Sequence, residues 1–392
     1  MRKSEAGVDP MSTELQEYIS TAFSWLEARA GKKNDIFFDG AAVIATSSGA
    51  VRSENQDRIA LIDVQNQASN GADVKAIVLL DGIGGMAAGG SSASLALASF
   101  AIYLSFGDCT RGIKSLLLEA ARFSNETVYK RYQARGGTTI CAVLFGKQGA
   151  AGLSVGDSRI YLNSDEGLLQ LTKDDTVSAS LATSSKRLEP WRYPDSVDNR
   201  LSQFIGMGDG IEPHVITLPS YDMMTSDARL ALMTDGAYFI GQEVLEILFK
   251  QKLETRELAH RVMTMAEWLG GDDNASIAIY PCHPNFADIG RNGASSCLTL
   301  TAFGETLVIF VPKNVTYAER PKSTANNSAL GSTSGSPPER VRTTKIAEKV
   351  SRKSRSNIST NMPRNKRSKK TTVKKDDRQA NTLVLQFIPE KE

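Results

Sequence analysis

Residues 75–85 read KAIVLLDGIGG. Lys75–Leu80 is a short apolar run, of the length expected for a strand. It stops at Asp81, and Gly82, Gly84 and Gly85 follow. A carboxylate at a strand end stands at a rim yet is held by a rigid element. Glycine beside it lets backbone approach and can free a carbonyl as a further oxygen ligand. One Asp-Gly on its own marks only a turn. The pattern recurs outward along the chain, however. Leu230–Met233 ends in Thr234-Asp235-Gly236, and Ala151–Val155 ends in Gly156-Asp157-Ser158-Arg159. Asp57 opens Arg58–Val64, and Asp273-Asn274 opens Ala275–Tyr280. Only three histidines exist (His214, His260, His283), which excludes an HExxH zinc site. All-oxygen ligation points to Mg²⁺ or Mn²⁺, and two such ions side by side bind phosphate oxygens and generate hydroxide near neutral pH.

Further strands are expected at Ala41–Thr46, Thr139–Phe145 and Ile160–Leu162. Helices are expected at Glu14–Ala30, Ser92–Leu104, Ile113–Ala134, Gln242–Gln251 and Leu253–Trp268. Short strands close together with helices inserted in pairs predict an antiparallel α+β layered domain rather than a βαβ series. Leu298–Ala302 and Leu307–Val311 read as a hairpin that closes or extends that domain.

The 392 residues carry 46 Lys+Arg and 44 Asp+Glu, a net charge of only +2. That balance hides a division: Glu339–Arg378 holds 15 basic and 4 acidic residues, a local +11 that leaves −9 on the remainder. At 41% hydrophobic residues the chain can build a large core. Cys109, Cys141, Cys282 and Cys297 form no CxxC pair, which suits a reducing compartment and leads us to expect a cytoplasmic protein. Met1–Ser53 has no apolar targeting run. Gly82–Gly107 is free of charge over 26 residues, but its glycines and serines favour a core helix over a membrane span.

The motifs appear in a fixed order. They run Ser48-Gly49-x-x-Arg52-x-x-Asn55-Gln56-Asp57, Asp81-Gly82-Ile83-Gly84-Gly85, Gly137-Thr138-Thr139, Gly156-Asp157-Ser158-Arg159-x-Tyr161, Leu171-Thr172-x-Asp174, Thr234-Asp235-Gly236 and Gly271-x-Asp273-Asn274. Over about residues 35–282 this resembles the metal-dependent Ser/Thr protein phosphatases of the type 2C (PPM) family in their bacterial form. The resemblance implies an antiparallel β-sandwich flanked by helix pairs, in α-β-β-α layers. It implies that Asp81 bridges two Mn²⁺ or Mg²⁺ ions, that Asp235 and Asp273 complete one, and that Asp57 and the Gly82 carbonyl serve the other. Asp157 with Asp235 matches a third ion. Arg52 corresponds to the arginine that grips the substrate phosphate, a contact for which Lys is a poor substitute. The implied reaction is in-line attack of a metal-bound hydroxide on phosphoserine or phosphothreonine of a protein substrate, opposing a Ser/Thr kinase.

Three positions depart from the family pattern. Gln56 stands where many members carry Glu, Met86 replaces a His, and Asp175 replaces the His after Leu-Thr-x-Asp. None of the three is an implied ligand, so altered packing or lower activity is expected. A phosphatase-like scaffold with weak or no catalysis is the alternative reading. The family's variable flap corresponds to Thr176–Arg200, where Lys186, Arg187, Trp191, Arg192 and Tyr193 are candidates for peptide contact or for a plain surface loop. His214, His260 and His283 suggest no role.

The chain thus reads as a helical extension (1–34), the phosphatase domain (35–282), a β-hairpin (283–312), a disordered basic linker (313–381) and an apolar end (382–392). The linker has no aromatic residue between Glu339 and Arg378, which disfavours base-specific reading of nucleic acid. Its charge would suit nonspecific nucleic acid, a membrane surface or an acidic partner. Thr382–Pro389 (TLVLQFIP) reads as a strand that docks on a sheet edge or as a processed end.

Overall fold

A computed structural model describes residues 10–30, 35–39, 42–66, 73–107, 110–147, 149–179, 200–219, 227–282, 296–311 and 382–385. The flap candidates Lys186, Arg187, Trp191, Arg192 and Tyr193, together with Cys109, His283 and the basic linker, lie outside the described residues.

Two sheets form the centre. The first has six antiparallel strands: β1 (Asp35–Asp39), β2 (Ala42–Ser47), β7 (Arg159–Ser164), β8 (Gly167–Gln170), β10 (Arg229–Met233) and β11 (Ala275–Pro281). Their spatial order is β1-β2-β11-β10-β7-β8. The second contains β3 (Arg58–Gln65), β4 (Val74–Leu80), β5 (Ile140–Gly146), β6 (Gly149–Val155), β9 (His214–Thr217), β12 (Ser296–Ala302), β13 (Glu305–Val311) and β14 (Thr382–Leu385). Its order is β14-β13-β12-β3-β4-β5-β6-β9, antiparallel except for the parallel pair β13–β14.

Strand periodicity explains the layering. Side chains alternate between faces, and in β4 Ile77 and Leu79 meet the other sheet while Ala76, Val78 and Leu80 face helices. In β5 Cys141, Val143 and Phe145 point inward, and Ile140, Ala142 and Leu144 point outward. Both faces are buried, so the sequence shows unbroken apolar runs rather than alternation. Over the eight-stranded sheet lie α1 (Pro10–Glu27), α2 (Gly89–Phe106) and α3 (Ile113–Tyr132). Over the six-stranded sheet lie the short α4 (Asp235–Tyr238), then α5 (Gln242–Lys250) and α6 (Thr255–Trp268). The result is the α-β-β-α arrangement expected of the resemblance. Helix α2 is long and apolar enough to cross a membrane by length and composition, but 94% of it is buried inside the protein. Its all-round hydrophobicity is that of a core helix sandwiched between other elements.

Most expected elements hold to within two residues; α1 runs four residues further at its start and stops three short of the expected Ala30, and α2 begins three residues before the expected Ser92. Helix α3 stops at Tyr132 because Gln133 and Ala134 take positive φ values of 50° and 58°. Strands β1, β8 and β9 are absent from the sequence expectation. The last two are four residues each, too short for a periodic signal. The hairpin exists and turns at Phe303-Gly304, both at positive φ as a two-residue turn requires. It extends the second sheet by pairing β12 with β3, and Leu298, Leu300, Leu307 and Ile309 enter the same core as Tyr18, Ile19, Ala22, Trp25 and Leu26 of α1. Part of the apolar C-terminal segment, β14, adds to the edge of β13.

Candidate active site

The acidic residues converge because strands of both sheets end at one rim. Arg58 of β3 pairs with Leu80 of β4, so Asp57, just before one strand, and Asp81, just after the other, come to the same end. Met233 of β10 pairs with Ile277 of β11, which likewise brings Asp235 beside the start of β11, where Asp273 lies. Asp157 sits in the connection from β6 in one sheet to β7 in the other. Asp81, Gly82, Asp157, Asp235, Asp273 and Arg52 line one cleft, with Asp57 buried behind it.

Hydroxyl side chains hold the Asp57 carboxylate and the backbone at Asp81 and Asp157. Asp57 Oδ2 accepts from Ser276 Oγ at 2.7 Å and from Thr234 Oγ1 at 3.1 Å. The Asp81 backbone N–H donates to Thr139 Oγ1 at 3.0 Å, while its carbonyl accepts from Thr138 Oγ1 and the Thr139 N–H, both at 2.8 Å. Thr139 Oγ1 also lies 2.7 Å from Ser158 Oγ, which links the Asp81 turn to the Asp157 turn. Asn274 accepts from the Gln56 N–H at 2.8 Å through Oδ1 and donates through Nδ2 to the carbonyls of Ser48 and Glu54, fixing the loop that carries Arg52. Gly82 is confined by close approach: a Cβ there would stand 2.7 Å from the Gly89 carbonyl and 2.8 Å from that of Gln56. Arg159 forms a bidentate pair with Asp174 at 2.7–3.2 Å and lies 3.8 Å from the centroid of the Tyr238 ring, whose hydroxyl donates to the Asp157 carbonyl. Thr138, Thr139, Ser158, Arg159, Asp174 and Asn274, motif residues to which the sequence assigned no role, are thus supports for the acidic ones. Ser276 was missed altogether; its only sequence signal is a hydroxyl inside the apolar run ASIAIY.

One departure finds partners. Asp175 accepts from the Gly156 N–H at 2.9 Å and pairs with His214 Nε2 at 2.7 Å. Where the family pattern calls for His, this chain places Asp and supplies an imidazole from β9. Met86 lines the cleft.

The electrostatics call for a cation. Burial, with Asp235 and Asp273 nearby, pushes Asp57 up to about 7 despite the two hydroxyl donors. Burial and Asp235 push Asp157 up to about 7 as well. Asp81 is raised well above the usual range by burial and by Asp57, Asp235 and Asp157, and Asp235 is raised by burial and Asp273. Asp57 Oδ1 and Asp235 Oδ1 are buried without a hydrogen-bond partner. Such orphaned anionic oxygens are costly unless a positive charge meets them. Among the described residues no group of three His, Cys, Asp or Glu forms a ready-made metal cage. Arg52 instead reaches Asp273, NH2 to Oδ2 at 2.8 Å, with both side chains about two-fifths exposed. A hard divalent cation fits this set: all-oxygen donors, two of them unpartnered, and one carboxylate held by a rim arginine.

No protein-family model matches the chain. Among curated proteins it is 30% identical over 226 residues to the serine/threonine protein phosphatase PstP of Mycobacterium tuberculosis, covering 56% of this chain. The chain spans 42% of the length of that relative. It is 26% identical over 244 residues to a putative protein phosphatase 2C-type of Streptococcus pyogenes, covering 60% of this chain and 95% of the other. Among solved structures, the S. agalactiae serine/threonine phosphatase superposes with a TM-score of 0.51 at 25% identity, over 61% of this chain and 98% of that one. In sequence and in fold, the chain resembles the bacterial type 2C (PPM) Ser/Thr protein phosphatases.

Proposed function

We propose that this chain hydrolyses phosphoserine and phosphothreonine in proteins with the help of Mn²⁺ or Mg²⁺. The observation that carries the reading is the meeting at one rim of five aspartates from separate chain segments, two with buried, unpartnered oxygens. Asp57, Asp81, Asp235, Asp273 and the Gly82 carbonyl would hold two ions, and Asp157 with Asp235 a third. Bound ions would supply positive charge to phosphate oxygens and lower the pKa of water at the cleft. Asp81, between the two halves of the set, orients the site through its fixed backbone. Arg52, at the exposed mouth, offers a planar two-pronged donor to the substrate phosphate. Thr234 and Ser276 keep Asp57 in place by donating to one of its oxygens and leaving the other open.

A phosphoprotein substrate supplied by a Ser/Thr kinase belongs to this proposal, as does residence in the cytoplasm, which the free Cys141, Cys282 and Cys297 suit. The test is hydrolysis of a phosphothreonine peptide by the full chain with Mn²⁺ and with EDTA, beside Asp81→Ala. Turnover that needs Mn²⁺ and is lost in Asp81→Ala supports the reading. A wild type no faster than Asp81→Ala on several peptides, with Mn²⁺ still bound, overturns it.

A further inference from the structure

Arg58 directly follows Asp57 and is one of the largest wholly buried side chains among the described residues. It does not line the cleft. Its Nε donates to Ser94 Oγ of α2 at 2.7 Å, and its NH1 donates to the carbonyls of Asn55 at 2.9 Å and Asp57 at 2.8 Å. The guanidinium therefore clamps the backbone that delivers Asp57. The carboxylate facing it comes from α1: Glu27 Oε1 stands 3.6 Å from NH2. The other oxygen of Glu27 accepts from Ser91 Oγ at 2.6 Å, in the first turn of α2, to which the loop after Asp81 leads. That turn packs against the Arg58 and Glu54 side chains, since a Cβ on Gly90 would come within 2.9 Å of Glu54 Oε1 and 3.2 Å of Arg58 NH2. Two residues beyond Glu27, Arg29 ties the end of α1 to Glu305 of β13 at 2.6 Å.

We propose that α1 is a positioning element for the acidic site, with Glu27 holding Arg58 and Ser91 so that the Asn55–Asp57 and Asp81–Gly85 segments stand at the spacing the cations need. A buried guanidinium requires a counter-charge. Without Glu27, the anions left near Arg58 are Glu54 and the ligand Asp57 itself. An arginine drawn to Asp57 competes with the cation for it. The inference rests on the metal-dependent reading above.

The test is calorimetric binding of Mn²⁺ to the full chain, with thermal unfolding of the metal-free protein as a second readout. Glu27→Ala should raise the Mn²⁺ Kd by about tenfold, at the lower end of what loss of an outer partner of a ligand costs. Glu27→Gln keeps an acceptor for Ser91 without the charge and should fall between. Arg29→Ala loosens the same helix end without touching Arg58. It should lower the unfolding temperature yet leave the Kd within about twofold. An unchanged Kd in Glu27→Ala, or an equal loss in Arg29→Ala, overturns the inference alone. A wild type that binds no Mn²⁺ overturns the metal reading, and this inference with it.

Discussion

At the scale of single residues the site is a set of acids held against their own repulsion. Asp57 is the sharpest case: burial drives its pKa from 3.8 up to about 7, while Ser276 and Thr234 oppose that rise. A carboxyl whose folded pKa lies above its unfolded one binds more protons when folded, so its contribution to stability falls as pH rises between those values. Metal-free protein should therefore lose stability from about pH 4 to pH 7, and Mn²⁺ should restore more of it at pH 8 than at pH 5. Asp57→Asn removes the titrating group. In thermal unfolding at several pH values it should show a shallower decline than wild type; an identical profile would remove Asp57 as the source. Arg52 and its partner Asp273 were both legible as motif residues, but their direct pairing was not. No spacing rule connects positions 221 residues apart.

At the scale of elements, α2 organises the larger core. It touches α1, α3 and the eight-stranded sheet, and 17 of its residues are buried. Leu97, fully buried, has nowhere to relax. Leu97→Ala should cost about 2–5 kcal/mol, read by urea unfolding, and should leave the Mn²⁺ site intact in whatever fraction remains folded. The same element shows what a sequence reading can and cannot supply. Its length, apolar content and Gly-rich entrance identify a helix after Asp81, and its serines argue against a membrane. Which neighbours cover it depends on strands and helices far along the chain. Strands β8 and β9 escaped detection because four residues give no period; pairing with β7 and β6 makes them strands.

At the scale of the whole molecule, the two sheets carry equal responsibility for the site. Asp57 and Asp81 ride on one, Asp235 and Asp273 on the other, and Asp157 on the crossing between them. Separation of the sheets would dissolve the site, so Mn²⁺ binding and global stability should be linked by mass action. The far edge of the larger sheet is a different matter. Strand β14 adds four parallel residues to β13, remote in the strand order from β4. Stopping the chain at Gln379 should shift the unfolding temperature by only a few degrees and leave phosphopeptide turnover as it was; a large loss of either would make the edge part of the working unit. The hairpin β12–β13 contrasts with this, since its apolar residues belong to the main core alongside α1.

By itself the sequence determined the α+β layering, most strand and helix positions, and the aspartates at the strand ends. These follow from local periodicity, from glycine and aspartate chemistry, and from motifs in a fixed order. Tertiary structure alone decided which groups serve those aspartates. Ser276 reaches Asp57 across 219 positions, His214 meets Asp175 across 39, and Glu27 faces Arg58 from a helix outside the motifs. Such contacts are set by how strands register and sheets stack, and local sequence carries no record of which distant hydroxyl, imidazole or carboxylate that stacking brings near.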